Sequence, residues 1–99
     1  MTHDELLAQF DRYDAITRCF GGPDVQSLAE VRRIVFVLRG QAHADPYVFE
    51  KLGGMLEWAE IGLSTRKFER YRGVEQVRVF AMSEADSAKS TMLRRLGGE

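Results

Sequence analysis

Apolar residues recur three and four positions apart along most of this chain. Leu6, Phe10, Tyr13, Ile16 and Phe20 fall on one face of a helix expected over about residues 3–19. Thr2-His-Asp-Glu5 has the spacing of a capping box at its start, and Gly21-Gly22-Pro23 ends it, since proline cannot continue the hydrogen-bond ladder. Leu28, Val31, Ile34, Val35 and Leu38 repeat the pattern up to Gly40, behind a second box, Ser27-Leu-Ala-Glu30. Asp45-Pro46 opens a third helix to about Leu63, because aspartate caps and proline fits the first turn. Ser64 or Thr65 can cap a short basic helix ending near Arg72-Gly73, and Ser83-x-x-Asp86 opens a last helix closed by Gly97-Gly98.

Two segments read both ways. Ile34 to Leu38 (IVFVL) also suits a buried strand, and in Val74 to Met82 the residues Val77, Val79 and Ala81 alternate as strand residues do. Paired strands near 34–38 and 76–82 would make the fold α+β, with helices packed on a small sheet. The capping signals favour the all-α reading: a small helical bundle of four to five helices in one domain, residues 1–99. No internal repeat, low-complexity tract or linker divides the chain.

The third helix contains FEKLGGMLEWAEIGL, where adjacent glycines each cost about 1 kcal/mol of helix propensity relative to alanine. At 100° per residue, Val48, Leu52, Met55, Leu56, Ala59 and Leu63 form the core-facing stripe. A second stripe gathers Tyr47, Gly54, Trp58 and Ile61, with the glycine in its middle. A helix with two apolar faces is either enclosed by its own bundle or offers one face to a partner, and Trp and Tyr are enriched at such interfaces. Tyr47, Gly54, Trp58 and Ile61 are therefore the candidate protein-binding residues, for a homodimer or another protein. Gly53 points toward Glu57 and Glu60 on the polar side, with no comparable role.

Composition narrows the class. The chain has 99 residues, 44% apolar and 29% charged, which fits one small globular domain. It shows no apolar run near 18 residues and no signal-peptide pattern, so no membrane association and a cytoplasmic location are expected. Cys19 is the single cysteine, expected as a small buried residue of the first helix, and it leaves no basis for an internal disulfide or a multi-cysteine zinc site. The net charge is −1 but unevenly spread. Residues 1–30 carry six acids and two bases, a net −4, and residues 64–80 carry five bases and two acids, a net +3.

Candidate chemistry is sparse. His43 and Asp45 read as a loop histidine beside an N-cap, and Glu57 with Glu60 as a solvated helix face, so no metal site or cofactor is expected. No nucleophile stands in a catalytic context and no glycine-rich phosphate loop follows a strand, which points away from an enzyme. The segment 64–73 interleaves Arg66, Lys67, Arg70 and Arg72 with Phe68 and Tyr71, a pattern that could bind phosphates while a ring such as Tyr71 stacks on a base. Against that stands the acidic net charge. By elimination, the expected function is a non-enzymatic interaction module, such as a small adaptor, chaperone or inhibitor-like regulator, self-associating through the third helix. The alternative is a nucleic-acid-binding regulator using Arg66, Lys67, Arg70, Tyr71 and Arg72.

Overall fold

Thr2 and Glu5 close the expected capping box: the Thr2 hydroxyl accepts the Glu5 N–H at 3.1 Å, and the Glu5 carboxylate accepts the Thr2 N–H at 2.8 Å. From it runs α1, His3–Thr17, in a computed structural model that describes residues 1–42, 45–64 and 73–97. Three further helices follow: α2, Val25–Gln41; α3, Pro46–Gly62; and α4, Val74–Gly97. No strand occurs among the described residues, so both ambiguous segments are helical and the fold is an all-α bundle.

Several local readings are corrected. α1 stops at Thr17 rather than residue 19, and the chain continues in tighter turns in which Cys19 N–H donates to the Ile16 carbonyl and Phe20 N–H to that of Thr17. Cys19 therefore sits beyond the helix and is exposed rather than buried. α2 is capped by Asp24, whose carboxylate accepts the Ser27 N–H at 3.0 Å and the Ser27 hydroxyl at 2.7 Å. Ser27 thus lies inside the helix, because aspartate three residues earlier supplies the stronger acceptor. Ser83 opens no helix: α4 is continuous through it, since Val77, Ala81, Ala85, Ala88 and Met92 carry one buried stripe across that point. The short basic helix expected over 64–73 falls largely outside the described residues.

Contacts give the arrangement. Arg12 of α1 meets Glu30 of α2, Arg32 of α2 meets Glu60 of α3, and Trp58 of α3 stacks on Phe80 of α4. Thr17 of α1 reaches Met82 of α4, which closes the ring of neighbours into an antiparallel four-helix bundle. Its core is formed by Leu6, Phe10 and Tyr13, Val31, Ile34 and Leu38, Val48, Leu52 and Met55, and the alanine-rich stripe of α4. Those small side chains let α4 lie close to both of its neighbours. Tyr13 is fully buried and donates its hydroxyl to the Met55 carbonyl at 2.7 Å, a polar link through the centre of the core. Burial, and secondarily the Glu84 carboxylate, push its phenol far above the ordinary value, so it remains a donor.

The α1–α2 turn is fastened to the end of α3. Gly21 N–H donates to the Gly62 carbonyl at 2.9 Å and Asp24 N–H to that of Leu63 at 3.2 Å, which satisfies carbonyls left open at a helix C-terminus. Gly21 has φ of 130°, a conformation that favours glycine, and Phe20 lies against Gly62 where no side chain intervenes. A Cβ at position 62 would overlap the Phe20 ring. Gly62→Ala should therefore lower stability by about 1–3 kcal/mol although alanine is the better helix former, measured by chemical denaturation.

Glu30 receives Arg12 through two hydrogen bonds of 2.6 and 2.9 Å and Arg33 through one of 3.0 Å. These partners lower its pKa from the usual 4.5 to about 2. The pairing contributes stability above pH 4.5 and loses it as the pH falls toward 2, where the carboxylate protonates in the folded state as well. Glu30→Gln should flatten that part of the acid limb in a pH series of thermal midpoints, while leaving the neutral fold intact.

Candidate interaction surface

The two central glycines of α3 face different neighbours. A Cβ built on Gly54 would lie 2.5 to 2.9 Å from the Glu84 carboxyl and Cγ, so α4 lays a glutamate side chain directly across the α3 backbone there. Lys51, one turn earlier, faces the same carboxylate at 3.8 Å. On the other side, a Cβ on Gly53 would meet only the Arg39 guanidinium of α2, at an ordinary 3.5 Å. The close approach that Gly54 permits is thus made, in the folded chain, by its own α4.

The other residues of the second stripe lie along the same seam. Trp58 stacks on Phe80 with ring centroids 4.7 Å apart and planes tilted by 31°. Trp58 and Ile61 are half-buried against the core, whereas Phe80 is 37% exposed. Tyr47 lies three turns away at the start of α3, 49% exposed, with the Lys51 ammonium 5.5 Å from its ring centroid. The seam therefore has an aromatic end, around Trp58, Ile61 and Phe80, and a polar end, where Tyr47 borders Ser87, Ser90 and Arg94 of α4. Gly54 separates the two.

The remaining candidates divide between structural roles and undescribed segments. Asp45 caps α3 by accepting the N–H groups of Tyr47 and Val48, and its second oxygen pairs with Arg95 in the last turn of α4. Beside that pair, Leu6, Ala42, Val48 and Met92 line a recess of about 120 Å³. That is well below the several hundred Å³ typical of ligand pockets. Glu57 is exposed, and Glu60 pairs with Arg32 at 3.5 Å. No group of three or more His, Cys, Asp or Glu side chains suited to a metal ion occurs among the described residues. Arg66, Lys67, Arg70, Tyr71 and Arg72 lie outside the described residues, as does His43. No described helix is long and apolar enough to cross a membrane.

Two features were missed in the sequence. Phe36, on the same face as Val25, is 79% exposed although it sits within the apolar run IVFVL. Its outward position could have been found by continuing the helical projection of Val31, Ile34, Val35 and Leu38, which leaves residue 36 on the opposite side. Nothing local marks Glu84 as the partner of Gly54. In comparisons with known proteins, the chain matches no family model, no curated protein and no solved structure.

The packing of Glu84 on Gly54 yields a double-mutant test. Gly54→Ala alone should displace the Glu84 side chain from the α3 backbone, a loss of up to about 1 kcal/mol that cancels most of the gain in helix propensity. In a Glu84→Ala background the same change should become stabilising by about 1 kcal/mol, as helix propensity acts alone. Equal effects in both backgrounds, measured by urea titration, would exclude the contact.

Proposed function

We propose that this chain is a non-enzymatic protein-interaction module whose contact surface is the aromatic end of the α3–α4 seam. The observation that carries the reading is the stacked Trp58–Phe80 pair, which sits at the surface with Phe80 exposed and Ile61 beside it. A large ring pair braced from below by the core forms a rigid apolar anchor, which costs little entropy to engage. Glu57 supplies an exposed polar neighbour on the next face of α3, as at the rim of an interface. The partner this surface suits is an apolar helix face of another protein, laid along Trp58, Ile61 and Phe80. The role that follows is that of a small adaptor or regulator.

Of the carboxylates singled out in the sequence, Asp45 serves as a cap and Glu60 pairs with Arg32, while Glu57 is exposed on the helix surface, which supports binding rather than catalysis. Co-purification of the tagged chain from its own cells, comparing the wild type with Phe80→Glu, tests the reading. The variant should keep its thermal midpoint within a few degrees. It should also lose a partner held by the wild type, with about 2 kcal/mol or more of binding free energy if Phe80 is a hot spot. Identical sets of co-purifying proteins would remove the support for this surface, and turnover of a substrate by the purified chain would displace the reading altogether.

A further inference from the structure

The face formed by α2 and α3 is distinct from the Trp58–Phe80 seam and leaves an aromatic ring and several charges exposed. On α2 it presents Arg32, Phe36 and Arg39, one turn apart in succession, with Phe36 79% exposed. On α3 it presents Gly53 and the exposed Glu50 and Glu57, beside Glu60. The Arg32–Glu60 ion pair and the position of Arg39 over Gly53 set the level of one helix against the other, and they place Phe36 beside the stretch between Gly53 and Glu57. Each half is incomplete. Phe36 has solvent over its ring, and neither Arg39, Glu50 nor Glu57 has an ion-pair partner among the described residues.

We propose that this face binds a second copy of the chain through a two-fold axis parallel to the bundle. Charge selects that axis. A two-fold perpendicular to the helices would stack α2 on α2, arginine against arginine, and α3 on α3, glutamate against glutamate. The parallel axis sets α2 of each copy on α3 of the other and closes as an isologous dimer. It keeps the levels fixed by the Arg32–Glu60 pair, so Phe36 enters the gap beside Gly53 of the second copy, and Arg39 comes between its Glu50 and Glu57. Gly53 then has the role that its place on a polar helix face left open. Two helices of 17 residues cover about 25 Å by 20 Å, a footprint of about 500 Å² on each copy, at the low end for specific interfaces. The dimer is therefore a micromolar, salt-sensitive one.

Sedimentation equilibrium across a concentration series tests this directly. The wild type should dimerise in the micromolar range. Phe36→Glu, Gly53→Leu, Arg39→Glu and Glu57→Arg should each weaken the dimer at least tenfold with unchanged helical circular dichroism. Phe80→Glu should leave it intact, which separates this surface from the α3–α4 seam. Mixing the Arg39→Glu and Glu57→Arg proteins should restore dimerisation above that of either alone, because both 39–57 contacts of the mixed dimer join opposite charges, although residue 39 of one copy then meets Glu50 as a like charge. The proposal is overturned by a wild type that stays monomeric to millimolar concentration, by a dimer indifferent to all four substitutions, or by a mixture no tighter than its components. Retention of duplex DNA by the wild type, lost in Arg39→Glu without any dimer, would assign the arginines to nucleic acid instead.

Discussion

A helix approached from several sides must give up side chains where its neighbours come closest, and α3 does so at two points. Phe20 lies against Gly62 and Glu84 crosses Gly54, so the α1–α2 turn and α4 both rest directly on the α3 backbone. The same helix supplies the Met55 carbonyl that receives the buried Tyr13 hydroxyl, and the Gly62 and Leu63 carbonyls that receive the turn. These contacts make α3 the piece against which the rest of the bundle is positioned. The propensity lost at its glycines, about 1 kcal/mol each, is offset by the burial and hydrogen bonding that the close approach permits.

The polar links between helices fall into two kinds. Tyr13 to Met55 and Asp45 to the start of α3 are buried, where an unmade bond would leave a desolvated polar group, so they specify the fold strongly. Arg12 with Glu30 and Arg32 with Glu60 are exposed pairs, whose main effect is on register rather than on total stability. Asp45 belongs partly to both kinds, since it caps α3 and its second, buried oxygen pairs with the exposed Arg95, which ties the last turn of α4 to the same end of the bundle. Among the described residues, acids of the first 30 residues pair with nearby bases, Asp14 with Arg18 and Glu30 with Arg12 and Arg33.

The proposed contact surfaces are built from what the core leaves outside. With the core filled by residues at most 9% exposed, the large apolar side chains left at the surface among the described residues include Val25, Phe36, Tyr47, Phe49, Val79 and Phe80, with Phe80 stacked on the half-buried Trp58 at one seam and Phe36 on the adjoining face. α3 stands at the corner between the two faces. The two surfaces proposed above lie on different sides of α3, so occupation of one leaves the other open.

The order of helices was legible in the sequence wherever local chemistry decided it. Thr2 with Glu5, Asp45 with Pro46, and the three-to-four spacing of α1, α2 and α3 act within one or two turns, and the core stripe of α3 followed from angular position alone. α4 was ambiguous because its core side is mostly alanine, which gives periodicity little contrast, and Ser83 imitates a cap whose use the continuous buried stripe overrides. The glycine pair shows the same division. Its sequence announced a close approach to the helix backbone, but not whose. That Gly54 receives Glu84, 30 residues on, and that Gly53 is left facing outward beside Arg39, depends on how α4 and α2 cross α3. The crossing is set by the packing of all the helices together, and no local pattern encodes it.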